Sequence, residues 1–360
     1  MKKPWTKKKR IFFAVLNSAL ALAALVFLGL TLLLSRQLSG QQAAERWQGE
    51  SELAFTQLSC YLPVDKKIGL EQVYTFRTAI LTKLKEAAVE EESGSLFADA
   101  WSTTGKVTAS TSLGKSEVSA IAVGGRFFDF HPIRLISGSY ISESDLMKDR
   151  VLLDEDLAWL LFGGTDLQGL ELQINGAPFV VAGVIEREQD FASKKAYTAG
   201  MGLYMSFDAY AALEETAGIN CYELVMAEPV DGFALSFAKE KFPIGQGEII
   251  QNSGRFSFEN RVKLLGKFGS RSMQTLGVVY PYWENAARCV EDWCALFTFL
   301  ALFASVLPVV TVAVITVRYI RRGKNKVEED LLPSLKDRTQ EAIRVRQRRR
   351  WEKKHGMHEE

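Results

Sequence analysis

Two uncharged, strongly apolar stretches frame the chain, at residues 11–35 and at residues 293–317. A helix rises about 1.5 Å per residue, so about 20 residues cross the hydrocarbon layer of a bilayer. Both stretches are long enough to span a membrane. The first exceeds the apolar region of a cleavable signal peptide, about 7–15 residues, and Arg36 follows it directly. We therefore expect a retained anchor, and a second membrane helix kinked at Pro308.

The block between these stretches begins and ends with alternating apolar residues that predict strands, each time on both sides of a helix. The predicted order is strand 53–62, helix 70–89 and strand 96–102 at one end, and strand 222–227, helix 232–242 and strand 248–251 at the other. We expect the two β-α-β units to pair into one sheet with helices on one face, in an α+β ectodomain.

The residues between the two units predict an inserted β-rich lobe, residues 117–218. Strands are expected at 118–123, 151–153, 170–174, 178–185 and 203–206, and a helix at 207–215. Asp154 is a candidate N-cap of a short helix that Gly163 and Gly164 end. Asn175-Gly176 predicts a tight hairpin.

Charge predicts the topology. The chain has 44 Lys and Arg against 43 Asp and Glu, a formal net charge of +1 and a mean hydropathy of −0.01. Residues 1–35 contain six basic and no acidic residues, residues 36–292 contain 24 and 35, and residues 293–360 contain 14 and 8. Basic flanks of membrane helices stay in the cytoplasm, so we expect cytoplasmic termini and an extracytoplasmic middle in the plasma membrane.

These patterns together predict the domain organisation. The expected segments are a cytoplasmic N terminus (1–10), a first membrane helix (11–35), an extracytoplasmic domain (36–292), a second membrane helix (293–317) and a basic cytoplasmic tail (318–360). Within the outer domain we expect the two terminal β-α-β parts at 50–105 and 219–253, the lobe at 117–218 and a stalk at 256–292.

A run of residues in the lobe reads FF…PIRLISGSYISESD and RVLLDEDLAWLLFGGTDLQGLELQINGAPFVVAGVIE. This run resembles the MacB-like periplasmic core domain of FtsX/MacB-type ABC transporter permeases. The positions that match the family pattern are Ser137, Gly138, Tyr140, Phe162, Gly163, Ile174, Asn175, Gly176, Phe179, Val181, Gly183 and Val184. The resemblance covers residues 11–318 and is most specific at the central hairpin.

The resemblance implies a porter-like subdomain and a role beside a separate ATPase. Family permeases usually carry four membrane helices, with a coupling segment after the second. This sequence has two apolar stretches, and VRYIRRGKNKVEED departs from the usual coupling pattern, so we expect a truncated or accessory member. Other permease subunits and an oligomer are therefore expected. Arg318, Arg321 and Arg322 are candidate contacts with lipid or the ATPase.

Residues that could carry chemistry are sparse. The sequence has no P-loop string, no H-E-x-x-H and no C-x-x-C, so we expect no catalytic residue, no cofactor and no metal site, and no enzymatic activity. The acidic run 154–156 is interpreted as helix capping rather than metal ligation. His131 is interpreted as a packed or solvated loop residue. The basic tail beside a membrane helix favours lipid over nucleic acid as its partner.

Two cysteines, Cys60 and Cys221, lie at or beside the first strands of the two β-α-β units. If those strands are neighbours, a disulfide is conceivable in an oxidising compartment; two buried free thiols are an equal alternative.

The segment before the second membrane helix contains Tyr280, Tyr282, Trp283 and Trp293, which are typical of an interfacial aromatic belt. Glu284 and Arg288 at i, i+4 spacing predict that the helix begins before the membrane. This segment is either a simple anchor or a stalk that carries movement to the outer domain.

The favoured function is a non-enzymatic membrane subunit similar to an ABC transporter permease. Its outer domain would handle an extracytoplasmic substrate or partner, and a separate ATPase would drive it. The alternative is a two-span sensor or adaptor that binds a ligand outside and signals through its cytoplasmic tail.

Overall fold

The computed structural model of the chain describes residues 6–89, 95–274, 277–326 and 332–354. These residues form two compact units, residues 29–299 and a second unit made of residues 1–28 and 300–360. Parts of the expected N terminus (1–5) and tail (327–331 and 355–360) lie outside the described residues.

The helices are α1 (Lys7–Arg36), α2 (Ala43–Gln48), α3 (Leu70–Glu86), α4 (Phe127–Phe130), α5 (Glu155–Phe162), α6 (Phe191–Ala196), α7 (Phe207–Leu213), α8 (Phe233–Lys241), α9 (Phe258–Leu264), α10 (Tyr282–Lys326) and α11 (Leu332–Lys354). The strands are β1 (Phe55–Tyr61), β2 (Phe97–Ser110), β3 (Lys115–Gly125), β4 (Arg134–Gly138), β5 (Arg150–Asp154), β6 (Glu171–Ile174), β7 (Ala177–Glu186), β8 (Gly202–Ser206), β9 (Cys221–Ala227) and β10 (Glu248–Gln251).

The ten strands of the described residues belong to one mixed sheet with the order β10-β1-β9-β2-β3-β8-β5-β7-β4, and β6 pairs with β2 and β7. The strands of the two terminal β-α-β units are neighbours at one end of this sheet, in the order β10-β1-β9-β2. The prediction that both ends of the block pair into one sheet is confirmed. The long strands β2 and β3 then continue the sheet into the inserted lobe.

Helices α3 and α8 cover one face of the terminal strands, as their apolar spacing predicts. Phe76 of α3 packs on Phe237 of α8 and on Tyr222 of β9, with ring centroids 5.6 Å apart in both pairs. On the same face Arg77 forms two hydrogen bonds of 2.8 Å with the buried carboxylate of Asp99, which also accepts one from the Tyr222 hydroxyl. Apolar packing and a satisfied charge therefore fix these helices to the sheet.

The lobe contains the predicted strand-helix and hairpin. Asp154 caps α5 by accepting a hydrogen bond from Leu157 N at 2.8 Å, and Gly163 ends the helix in the left-handed conformation, with φ of 75°. Asn175 and Gly176, with φ of 49° and 85°, form the turn between β6 and β7. These local predictions are confirmed. Strand β4, which pairs with β7, had no alternation strong enough to predict it.

The two longest helices that begin and end the ectodomain are candidate membrane spans. Lys7–Arg36 and Tyr282–Arg322 each contain an 18-residue window of mean hydropathy 2.5, of which 6% and 11% are buried inside the protein. A core helix of a soluble domain would be mostly buried, so these exposed apolar surfaces fit lipid. Pro308 lies inside α10.

The disulfide alternative for Cys60 and Cys221 needs correction. Both thiols are free and buried. In the antiparallel pair β1–β9, Cys60 lies opposite Tyr222 and Cys221 lies opposite Tyr61. Consecutive residues of a strand point to opposite faces, so the two thiols leave the sheet on opposite sides and cannot bond. The buried free thiols that the sequence left open as an alternative are what the structure contains.

Candidate functional site

The face of the sheet opposite α3 and α8 receives the first turns of α10, and a charged side chain is buried where they meet. Glu284 of α10 is completely buried. Its carboxylate accepts hydrogen bonds from Arg255 Nη1 and Nη2 at 2.9 and 3.1 Å and from Arg288 Nε at 2.8 Å. One buried anion therefore joins two guanidinium groups, one from the loop after β10 and one from the next turn of α10.

A second carboxylate completes the charge balance around Arg255. Glu291 of α10 accepts from Arg255 Nε at 2.9 Å and also pairs with Arg271. Burial alone would lower the pKa of Arg255, but the Glu284 and Glu291 carboxylates outweigh it and raise that pKa well above its ordinary value. The Arg255 guanidinium is thus permanently charged and fully paired, as a buried charge must be.

Tyr61 connects this ion cluster to the sheet. Its hydroxyl, at the end of β1, donates to Glu284 Oε2 over 3.2 Å. Burial and then the Glu284 charge raise the pKa of Tyr61 well above its ordinary value, so the hydroxyl keeps its proton and remains a donor. The Tyr61 ring also packs edge-on against Tyr280, with centroids 5.2 Å apart.

A chain of polar side chains extends the cluster across the middle of the sheet. Gln41 Oε1 accepts from Arg255 Nη1 at 2.6 Å and from Asn252 Nδ2 at 2.7 Å. The Ser59 hydroxyl lies 3.0 Å from Asn252 Oδ1 and 3.2 Å from Glu223 Oε1. Through these contacts the loop after β10 is linked to β1 and β9.

The chain of polar side chains ends in a buried contact between a carboxylate and an imidazole. Glu223 Oε2 lies 2.5 Å from His131 Nε2, and both side chains are almost completely buried. The His131 ring packs on Phe127 and on Trp283 of α10, with centroids 4.6 and 4.7 Å apart. His131 is therefore a packed residue with a charged partner rather than a solvated one. Trp283 is buried inside the domain, so the aromatic-belt interpretation is wrong for it.

We call this connected set of side chains the junction; its members are Gln41, Ser59, Tyr61, His131, Glu223, Asn252, Arg255, Glu284, Arg288 and Glu291. All of them lie in the compact unit of residues 29–299. Glu284 is paired with two guanidinium groups and Glu223 contacts a buried imidazole, so this arrangement is suited to holding β1, β9 and α10 in a fixed relation. Among the described residues, no group of three or more side chains could hold a metal ion.

The other sides of the α10 base pack on small residues. Ala286 and Ala287 are fully buried in a cluster with Ala192 and Ala196 of α6. Small side chains let helix backbones approach closely, which adds packing contacts to the ion pairs.

Nearby, one side chain forms hydrogen bonds with both α1, in its last turns, and α10. Arg261 Nη1 of α9 donates to the hydroxyls of Thr31 and Thr298 at 3.1 and 3.2 Å. Both contacts lie in the unit of residues 29–299, so α1, α9 and α10 are connected at the base of the domain.

The structure places the first group of family-motif residues where β4 meets β7. Gly138 lies opposite Gly183, and a Cβ atom on Gly138 would come within 2.2 Å of the Ala182 carbonyl oxygen. The Ser137 hydroxyl donates to the Thr165 carbonyl and the Tyr140 hydroxyl to the Ile133 carbonyl. These residues therefore shape the backbone of the lobe.

The remaining motif residues lie around the hairpin and α5. Asn175 Oδ1 accepts from Thr108 N at 2.8 Å, which ties the turn before Gly176 to β2. Phe179 is buried, and Phe162 packs against the same core beside Gly163. None of these family-motif residues belongs to the junction.

The basic residues Arg318, Arg321 and Arg322 lie on the exposed surface of α10 within the second unit. Helix α11 is exposed from residue 335 to residue 351.

Sequence patterns missed the junction, although two local signals pointed to it. Glu223 stands in the otherwise apolar strand CYELVMA, and Gln57 and Ser59 stand in a β1 strand that is buried at every position. A polar residue inside a buried strand needs a partner, and that requirement could have marked the site. The partner itself, such as His131 for Glu223, 92 residues away, could not be identified without the fold.

Comparison with known proteins agrees with this architecture. The sequence model of the MacB-like periplasmic core domain matches residues 40–237. No curated protein gives a significant match.

Three solved structures are similar to parts of the chain. The extracellular domain of the noncanonic ABC-type transporter YknZ from Gram-positive bacteria is 16% identical, with 52% of this chain and 92% of that one covered and a TM-score of 0.35. The periplasmic region of MacB from Actinobacillus actinomycetemcomitans is 14% identical, with 57% and 92% covered and a TM-score of 0.38. A domain of a putative permease protein from Porphyromonas gingivalis is 16% identical, with 55% and 88% covered and a TM-score of 0.32.

The assignment rests on the sequence-model match, which covers more than half of the chain and spans the whole inserted lobe. The chain therefore belongs to the family of the MacB-like periplasmic core domain, the extracytoplasmic domain of ABC-transporter-permease-type membrane proteins.

Proposed function

We infer that the chain is a non-enzymatic subunit of an ABC transporter, which couples an extracytoplasmic domain to a separate ATPase by mechanical transmission. The observation that carries this proposal is the junction, because it connects the sheet to the first turns of a helix that continues as an apolar candidate membrane span. An anchor that only tethers a domain has no need of buried charges at the point of attachment.

The energetics of the junction favour transmission. Removing one partner of a buried, hydrogen-bonded ion pair leaves the other charge unpaired and lowers the stability of the fold by about 3–5 kcal/mol. A displacement of α10 that separated Glu284 from Arg255 would meet that penalty. The sheet and the base of α10 would therefore move together, and movement of the helix would reach the outer domain.

The proposed topology follows the charge distribution. We place the termini in the cytoplasm and residues 36–292 outside the plasma membrane, because basic residues flank both apolar stretches on their outer ends. Arg318, Arg321 and Arg322 would then contact the cytoplasmic ATPase or anionic lipid headgroups. Further permease subunits in an oligomer, with the outer domain handling an extracytoplasmic substrate or partner, complete the proposal.

The experiment is cross-linking and affinity purification of the full chain from its native membrane, followed by mass spectrometry. Recovery of a P-loop ATPase with the wild-type chain is expected, and its recovery should fall when Arg318, Arg321 and Arg322 are replaced by Glu. A control variant carries three Glu substitutions in α11, at Arg346, Arg349 and Arg350, and should retain the ATPase. Recovery of a kinase or regulator without any ATPase would overturn the proposal in favour of a sensor or adaptor.

A further inference from the structure

A cavity of about 400 Å³ lies on the junction side of the sheet, within the unit of residues 29–299. Its floor consists of residues of β2, β3 and β9, and its far wall is the segment that enters α10, including Tyr280 and Tyr282. The volume falls in the range of about 300–1,000 Å³ that is typical of small-molecule sites. No part of the mechanical proposal accounts for a space of this size.

The polar groups in this cavity point to an anionic ligand. Among the described residues that line it, Lys67 is the one charged side chain. Lys67 forms no ion pair or hydrogen bond with the part of the chain that the structure describes, and neither does the side-chain amide of Asn220 or the hydroxyl of Ser119. One ammonium group, one amide and one hydroxyl are therefore available to a bound molecule.

Two carboxylates that contact the tyrosines of the cavity wall are already occupied. Glu188 accepts a hydrogen bond from the Tyr282 hydroxyl at 2.9 Å, and Glu248 accepts from Tyr280 at 2.5 Å and from Arg288 at 2.7 Å. Neither carboxylate lines the cavity. On the lining itself Lys67 is the one charged side chain among the described residues, so an acid group that reaches it gains a charge-assisted hydrogen bond.

Aromatic rings supply the apolar part of the walls. Tyr197 and Tyr282 meet edge to face with centroids 4.9 Å apart, and Tyr280 lies on the same wall. Flat rings of this kind favour a ligand with an aromatic or flat apolar body.

One residue of the wall has an uncommon backbone conformation. Met273 has a φ of 59°, in the left-handed region that non-glycine residues seldom adopt. Its N–H donates to Asn285 Oδ1 of α10 over 2.7 Å, and this bond holds the segment beside the cavity. Such conformations persist where the surrounding structure fixes them, and they concentrate at ligand sites.

We propose that this cavity binds a small anionic molecule with an aromatic or flat apolar body, its acid group on Lys67 and Asn220 and its body against Tyr197, Tyr280 and Tyr282. The site is independent of coupling to an ATPase, and a ligand there contacts the residues from which α10 begins.

The test is calorimetric titration of the full chain in lipid nanodiscs with 2-naphthoate, with empty nanodiscs as the blank. We expect one molecule to bind per chain, and Lys67→Gln to weaken binding about tenfold, since a charge-assisted hydrogen bond is lost. The matched control is Lys66→Gln, which removes the neighbouring exposed ammonium group and should leave the affinity unchanged. The cation 2-naphthylmethylammonium, of similar size, should bind at least about tenfold more weakly than the anion.

A second variant fills the space without removing a charge. Thr198 lines the cavity and is exposed, so Thr198→Trp should fold and abolish binding. The proposal is overturned if 2-naphthoate binds no more than to empty nanodiscs, if the two lysine variants lose affinity equally, or if Thr198→Trp binds as the wild type does.

Discussion

The replacement Glu284→Gln removes one negative charge from the centre of the junction and almost no volume. In the wild-type protein the carboxylate accepts from Arg255, Arg288 and Tyr61 and is inaccessible to solvent. The amide that replaces it is neutral. Its NH₂ group is itself a donor, so it cannot accept the hydrogen bonds that these three side chains donate. Arg255, whose side chain is 3% exposed, then keeps Glu291 as its remaining carboxylate partner.

The expected loss of stability follows from the general penalty for a buried charge that loses its partner, about 3–5 kcal/mol. Because Glu291 still pairs with Arg255, we expect a value near the lower end, about 3 kcal/mol. A domain of 150–250 residues shifts its midpoint by about 2–4 °C per kcal/mol, so the thermal midpoint should fall by about 6–12 °C.

The assay is thermal unfolding of the full chain in nanodiscs, followed by tryptophan fluorescence at one fixed scan rate. Trp283, which packs on His131 in the junction, is one of the reporters. The control is Glu259→Gln on α9. Glu259 pairs with Lys263 at 2.7 Å on the exposed surface, and its loss should leave the midpoint unchanged.

A double-mutant cycle separates the ion pair from other effects of the substitution. The double variant Arg255→Gln/Glu284→Gln should lose less stability than the sum of the two single variants, by about 1–3 kcal/mol. If Glu284→Gln lowers the midpoint no more than Glu259→Gln does, or if the two junction substitutions are additive, the reasoning about the junction is refuted.

Three further predictions concern the rest of the ectodomain. Gly138→Ala should lower the unfolding free energy of the ectodomain by about 1–3 kcal/mol in denaturant unfolding, because φ is 80° and the new Cβ would meet a carbonyl oxygen. The control Gly164→Ala places its Cβ in open space and should leave the unfolding free energy unchanged. Burial raises the pKa of Glu188, so the unfolded state releases that proton first and the contribution of Glu188 to the unfolding free energy should fall as pH rises above about 4. The difference in unfolding free energy between wild type and Glu188→Gln should therefore change with pH in this direction, and a difference that is constant with pH would contradict it. Cys60 and Cys221 should both react with a thiol reagent after denaturation of the air-oxidised protein, and a peptide pair joined through Cys60 and Cys221, two hydrogen atoms lighter than the separate peptides, would show the disulfide that the fold excludes.

Much of the fold could be predicted because its signals are local. The apolar spacing of Val73, Phe76, Ile80 and Leu84 predicts α3 and its buried face, and the structure buries all four residues. Asp154 and Gly163 mark the two ends of α5 by capping chemistry alone. Each of these signals lies within one turn or one strand of the element that it specifies.

The junction could not be predicted in the same way, because its partners are distant in sequence. Arg255 and Glu284 are separated by a loop and a helix, and Ser59 lies 164 residues from Glu223. Glu284 and Arg288 were expected to pair along the helix, and they do. Their spacing predicts an ion pair on any helix, whether exposed or buried, so it gave no sign that the helix base enters the domain.

Amide hydrogen exchange of the wild-type chain in nanodiscs tests the central claim most directly, because it measures whether the base of α10 opens separately from the sheet. Residues in one cooperative unit exchange with the same opening free energy. We predict that amides of residues 286–291 are protected as strongly as those of β1 and β9. Protection in residues 286–291 that is lower by about two orders of magnitude or more, equivalent to about 3 kcal/mol of separate opening, would contradict a mechanical junction.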